Sequence, residues 1–312
     1  MAQITPKKMR VPVHGVLLLD KAAGHSSNDV LIKAKRLLNA QKAGHTGTLD
    51  PFATGLLPLC FGEATKFAQD LLEANKTYET VVHLGVTTTT SDTEGEVLET
   101  RVVDVGTERI EQVLEQFRGE IEQVPPMYSA LKRDGKPLYE YARAGVTLER
   151  QARRVTIHAL ELLEFRAPYL HLRVRCSKGT YVRVLGEDIG AALGCGGHLQ
   201  ALRRTAVGSL TLERSVTLNA LTAITETERS SLLAPVDALL STFPPIFLSD
   251  ELVQRFLHGQ RLALSKAGYA VTAQAVGRVR VYREGNQRLL GTAQLQEYGV
   301  LAPERLIAGE TD

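Results

Sequence analysis

The sequence predicts an α+β chain, with one large mixed domain followed by a small β-rich one. Three observations lead there. A length of 312 residues is more than one modest core requires and suits a large domain plus a small one. Along most of the chain, stretches with helical spacing of apolar residues are interspersed with stretches of period two. Beyond Pro244-Pro245 the period-two pattern prevails, with Val279 and Val281 alternating with Arg278, Arg280 and Arg283. The expected division is residues 1–243 and 244–312.

Taken in order, residues 15–20 read as a short buried strand. Ser26 with Asp29 three residues on resembles a capping box, opening a helix to about Asn39 with Val30, Leu31, Ala34, Leu37 and Leu38 at helical spacing. A glycine-flanked turn follows, Gly44 to Gly55, then a helix over about 64–73 and a strand from Tyr78 to Leu84. The next helix, Thr107 to Arg118, sets Ile110, Val113, Leu114 and Phe117 on one face and stops at Gly119. Residues 125–154 differ: Tyr128, Tyr139 and Tyr141 interleave with seven Lys and Arg residues in an extended insertion. Such a segment suits base stacking and phosphate contact, or a surface flap whose tyrosines pack on the body. Leu170 to Cys176 alternates strictly and leads into Ser177 to Arg183 and a helix to about Leu193, which Gly194, Gly196 and Gly197 break. A helical connector over 222–245 precedes the small domain.

Composition narrows the class. Apolar residues make up 44% and charged residues 23%, the balance of an ordinary globular protein rather than a disordered one. No apolar run approaches the roughly 18 residues of a membrane span, and the run from Gly15 to Leu19 is too short for a signal peptide, so a cytoplasmic protein is expected. The three cysteines, Cys60, Cys176 and Cys195, are widely spaced and read as reduced and packed. Net charge is +2, but unevenly spread. Residues 1–66 carry 9 Lys/Arg against 4 Asp/Glu, residues 67–124 carry 4 against 13, and residues 125–215 carry 15 against 8. A basic surface built from the first and third segments suits a polyanion such as nucleic acid; a mixed, solvated surface is the competing reading.

The Gly44–Gly55 turn places Asp50 directly before Pro51, in a constrained backbone that can aim a side chain. Tyr78 and the Tyr181–Arg183 segment stand in two further punctuated stretches. No phosphate loop, nucleophile elbow, zinc-binding His-Glu-x-x-His or dinucleotide fingerprint occurs, so no metal or cofactor is expected. A carboxylate can attack an electron-poor carbon, a paired arginine would keep it ionised, and a tyrosine can stack or move a proton. Asp before Pro is also an ordinary pattern of a turn or helix cap, and from spacing alone that reading of Asp50 is the stronger. Arg183 as a surface ion pair and Tyr78 as a core strand residue stay open likewise.

Five ordered segments change the balance. They are Gly15–Lys21 with Ser26–Asp29, Ala43–Pro51, Lys76–Glu79, Cys176–Arg183 and Leu202–Arg204; Met127–Lys132 and Leu138–Arg143 accompany them. Together they resemble the TruB family of tRNA pseudouridine synthases over most of the chain. The resemblance implies a pseudouridine synthase fold: a central mixed, mainly antiparallel sheet flanked by helices, with a PUA-like C-terminal domain and an RNA-gripping insertion near 125–154. It implies isomerisation of the T-loop uridine of tRNA, position 55, after base flipping. In it Asp50 is the nucleophile, Arg183 its partner, and Tyr78 stacks on the uracil and helps remove a proton. Tyr181 and Leu202 line the uracil pocket, His45 supports the opened T loop, and Lys21 supports the surroundings of Tyr78. It further implies tRNA (its T arm) as partner, no obligatory protein partner, no membrane, and a monomer. Phe52 departs from the leucine common in the family, and the C-terminal segment matches loosely. A catalytically silent tRNA chaperone, a guide-RNA-dependent synthase and a uracil-releasing hydrolase are the rival readings.

Overall fold

In the computed structural model residues 9–269 and 276–307 are described; the outer ends of the two expected domains, 1–8 and 308–312, lie outside the described residues, as does 270–275. Strand β1, Gly15–Lys21, is buried almost throughout. Helix α1, Ser27–Leu37, begins at the expected capping box, where Ser26 Oγ accepts from Asp29 N and Asp29 Oδ2 accepts from Ser26 N. Strands β2, Ala43–His45, and β3, Thr54–Phe61, flank the Asp50 turn. The helix expected over 64–73 is split into a 3₁₀ turn, Gly62–Phe67, and a short α2, Ala68–Leu72. Strand β4 is Lys76–Leu84, and β5, Val86–Thr88, with β6, Val97–Thr100, forms a separate hairpin. Helix α3, Thr107–Gln116, buries Ile110, Val113 and Leu114 as its spacing requires, and leads to β7, Gly119–Gln123.

The segment near 125–154 is more ordered than an extended insertion. It holds a two-stranded hairpin, β8 (Lys132–Arg133) and β9 (Lys136–Pro137), then helix α4, Leu138–Arg143. Its tyrosines are partly occupied: the Arg143 guanidinium lies 5.4 Å from the Tyr139 ring centre and the Lys136 amine 4.8 Å from that of Tyr141. Next come β10, Arg153–Arg166; β11, Tyr169–Cys176; α5, Val182–Ala192; and β12, Gly197–Val207. On β11 the alternation holds fully, with Leu170, Leu172, Val174 and Cys176 buried. Two short strands, β13 (Leu210–Thr211) and β14 (Val216–Thr217), complete this part.

These strands form one ten-stranded sheet in the order β14-β1-β3-β12-β4-β11-β10-β7, with β2 on β3 and β13 on β12. Only β1–β14 and β3–β12 pair parallel, so the sheet is mixed and mainly antiparallel, as expected. Pro58 is tolerated inside β3 because β12 pairs only at Thr54 and Gly55, while β2 pairs at Leu59 to Phe61. The missing donor falls in the gap between them.

The helical connector expected over 222–245 is three short pieces: α6 (Leu218–Ala223), α7 (Glu226–Ser231) and a 3₁₀ turn over Val236–Leu240. The C-terminal sheet comprises β15 (Pro245–Leu248), β16 (Leu262–Ala263), β17 (Gly277–Arg283), β18 (Leu289–Gln296) and β19 (Val300–Leu306), ordered β15-β17-β18-β19-β16. Helix α8, Asp250–Leu257, buries Leu252, Val253 and Phe256 against it. Among the described residues no helix is long and apolar enough to cross a membrane.

Candidate active site

The Asp50 turn is clamped from three sides. Ser27, buried at the start of α1, accepts from Leu49 N at 2.8 Å and donates to Leu49 O at 3.0 Å. Lys21 Nζ donates to the carbonyls of Ala22, Pro51 and Ala53 at 2.9, 3.1 and 2.7 Å. Gly24 N donates to Pro51 O. Lys21 therefore holds the Asp50 turn. Burial lowers its pKa to about 8, against the opposing charges of Asp50 and Glu94. No helix follows Asp50: the chain bends through Pro51 and Phe52 and enters β3 at Thr54. The helix-cap half of the competing reading fails on that point, while the turn half holds, with Ala53 N donating to Asp50 O at 3.1 Å.

With no helix to cap, the Asp50 carboxylate pairs with Arg183, whose Nε lies 2.9 Å from Oδ2. Arg183 stands in the first turn of α5, and its side chain is only 5% exposed against 34% for Asp50. The same guanidinium donates to Thr90 O at 3.1 Å and Tyr128 O at 2.7 Å, and reaches Asp92 Oδ2 at 3.3 Å. One cation thus serves two carboxylates. For Asp50 the arginine is one of several opposing influences. Burial raises the Asp50 pKa and Asp92 adds to the rise, while Arg183 opposes without cancelling it.

Tyr78 lies on β4 with Arg204 of β12 on one side and Val174 of β11 on the other. Burial pushes its phenol upward, and the Arg204 charge beside it pulls the other way. Tyr181 precedes α5, and Gln123 grips its backbone in both directions: Tyr181 N donates to Oε1 at 3.0 Å and Nε2 donates to Tyr181 O at 3.3 Å. Burial raises the Tyr181 phenol as well, with the Ser129 hydroxyl opposing. Leu202 is buried on β12, opposite Thr80 and two residues before Arg204. His45 sits on β2 opposite Leu59; its Nδ1 is buried without a partner, and burial lowers its pKa.

The structure therefore brings Arg183, Tyr78, Tyr181 and Lys21 each within charge range of Asp50. Sequence reasoning missed Asp92, Gln123 and Ser27. Each is an ordinary polar residue in its local context, and only contacts with distant segments give it a place. Among the described residues no group of three or more His, Cys, Asp or Glu side chains could hold a metal ion. The chemistry the arrangement offers is that of a half-open carboxylate on a fixed cation, with a partly buried tyrosine in reach of its charge.

Comparison with known proteins points the same way. Residues 35–182 match the TruB family pseudouridylate synthase N-terminal domain, residues 183–241 the tRNA pseudouridylate synthase B C-terminal domain, and residues 244–307 the pseudouridine synthase II TruB C-terminal domain. The tRNA pseudouridine synthase B of Burkholderia mallei is 64% identical over 302 residues, covering 97% of this chain and 96% of that protein. The protein of the same name from Ralstonia nicotianae is 63% identical over 308 residues, 96% of each chain. Among solved structures, a Cbf5-Nop10-Gar1 complex matches with a TM-score of 0.73 at 29% identity, over 94% of this chain and 84% of that one. An H/ACA RNP bound to a substrate RNA containing 2′-deoxyuridine matches at 0.72 and 26%, over 96% and 86%.

Proposed function

Because the chain belongs to the TruB family of pseudouridine synthases, we propose that it isomerises the T-loop uridine of tRNA, position 55, to pseudouridine. The observation that carries this reading is the Asp50–Arg183 pair, a carboxylate 34% open to substrate on a cation 5% exposed. The reaction breaks the N1–C1′ bond, turns the uracil and rejoins it through C5. Asp50 is the nucleophile, attacking the sugar or the base, and Arg183 holds it in direction. Tyr78 stacks on the uracil and takes the C5 proton late in the reaction. Tyr181 and Leu202 line the uracil pocket and keep the detached base from water. His45 occupies the gap in the T-loop stack once the uridine is flipped out, a step costing a few kcal/mol that binding must offset. Lys21 sets the Asp50 turn.

Residues 1–243 form the catalytic domain in this reading, with residues near 125–154 gripping RNA, and 244–312 form a PUA-like domain contacting the tRNA. Phosphate contacts from the basic segments supply affinity. The protein acts as a cytoplasmic monomer without cofactor, guide RNA or obligatory protein partner. The test is purified protein alone with an unmodified tRNA transcript labelled with tritium at uridine C5. Tritium release with pseudouridine mapping to the T loop is expected; a requirement for added RNA or protein would overturn the stand-alone reading, and free uracil would indicate a hydrolase.

A further inference from the structure

Arg204 is among the largest fully buried side chains, at 1% exposure. Its Nε donates to Leu56 O at 2.7 Å and its Nη2 to Gly47 O at 3.1 Å. Those carbonyls lie on either side of Asp50 in the chain, so one guanidinium staples both ends of the turn. Gly55 makes the approach possible: a Cβ there would stand 2.2 Å from Arg204 O and 2.8 Å from its N. In register, Arg204 is the direct cross-strand partner of Tyr78. Among the described residues no carboxylate lies within ion-pair distance of it, which sets it apart from Arg183, which holds two. Two carbonyls satisfy hydrogen bonds but leave the charge uncompensated, and burying such a charge is costly. A guanidinium has five N–H hydrogens, and the two carbonyls leave donors for the neighbouring phenol.

We propose that Arg204 is a positioning residue for Tyr78: it locks the phenol against the Asp50 turn, and its unpaired charge stabilises the phenolate that accepts the C5 proton. The proposal rests on Tyr78 as proton acceptor. In that step the C5–H bond of the C5-linked adduct breaks and the proton passes to the phenolate oxygen. The electron pair re-forms C5=C6, and the C6=N1 pair moves to N1, which takes a proton from water as Tyr78 returns its own to solvent. The groups facing Tyr78 are Arg204 from β12, Cys176 from β11 and Asp50 from the turn; Lys21, His45 and Lys76 face Arg204 itself. Burial opposes the phenolate, and Arg204 is the largest charge favouring it.

The test combines single-turnover tritium release with ultraviolet titration of the phenol, using Tyr78→Phe as the spectroscopic blank. Arg204→Gln should slow release roughly a hundredfold at neutral pH, and its rate should go on rising with pH beyond the point where the wild-type rate levels off. Its Tyr78 titration should move to higher pH. Arg204→Lys keeps the charge and should hold the wild-type titration with a rate within about tenfold; it carries the test if Arg204→Gln does not fold, judged by circular dichroism. An upward titration shift in Arg204→Lys, or an Arg204→Gln with unchanged titration and pH profile while Tyr78→Phe is inactive, overturns the role of Arg204 alone. A fully active Tyr78→Phe overturns the Tyr78 reading beneath it.

Discussion

Two aspartates held by arginine, Asp50 half-open and Asp70 buried, sit in opposite charge settings in this molecule. At the candidate active site, Arg183 is shared by Asp50 and Asp92, leaving one cation against two carboxylates. Where the C-terminal sheet meets α2, Asp70 is shared by Arg278 and Arg305, and Arg278 also pairs with Glu304 at 2.6 Å. The second cluster is balanced in charge, and its surroundings are closed: Asp70 is 3% exposed, Arg278 lies over the Phe243 ring, and Lys66 donates to Leu306 O across the same seam. The first is negative by one charge and opens at Asp50. A buried arginine does not by itself distinguish structure from chemistry. Excess negative charge with one open carboxylate is the setting a reactive group requires; a matched set is the setting of a fastening.

Neutralising Asp50 should give the largest effect. Asp50→Asn is expected to lose at least about a thousandfold in tritium release and yet to unfold at a higher temperature at neutral pH. The sign follows from the raised native pKa: the folded chain binds a proton at Asp50 more readily than the unfolded one, whose value is near 3.8. Ionised Asp50 therefore costs stability that grows as pH rises from there through the native value. Melting curves across pH should show the gain of the variant vanish in acid; a destabilised Asp50→Asn would place this cluster with the fastenings.

Removing the closed partner should be milder. Asp92→Asn is expected to reduce kcat by roughly ten- to a hundredfold with KM little changed, because Arg183 loses a partner that orients it. It should also move the acid limb of the pH–rate profile to lower pH, since one of the charges raising Asp50 is gone. An acid limb that stays in place would sever the link between the two carboxylates.

The seam gives the converse test. Asp70→Asn leaves two arginines without a full counter-charge, and a broken buried pair costs several kcal/mol; the partial exposure of Arg278 and Arg305 reduces this to about 2 kcal/mol. Denaturant unfolding should register that loss while the rate of folded protein at low temperature is kept. The smallest effect is expected at Asp188, whose pKa burial and Glu187 raise to about 6. Asp188→Asn should stabilise by at most about 1 kcal/mol after solvent screening, fully above pH 6 and not at all below the ordinary value of 3.8.

Much of the scaffold was legible in residue order. The Ser26–Asp29 box marks the start of α1, the face of α3 matches its burial, and β11 alternates without a break. Strand β10 was not legible, because bulges at Ile157/Ala159 and Leu162/Glu164 interrupt its alternation, and β12 is interrupted likewise at Leu199/Ala201 and Arg204/Ala206. Strand β3 is buried along nearly its whole length and contains Pro58, so neither period nor composition separates it from a loop.

Residue order alone supplies the candidate residue types and their local settings: a carboxylate in a glycine-bounded turn, a tyrosine on a strand, an arginine opening a helix. Their ordered motifs also determined the family they resemble. The charge arrangement was decided only by the tertiary structure. Arg183 meets Thr90 across 93 residues and Arg204 meets Leu56 across 148. Periodicity reports which face of an element is buried, whereas the direction in which the Asp50 pKa moves depends on burial and on charges delivered by other segments. Such sums are set by strand order and register, which no local pattern in this chain encodes.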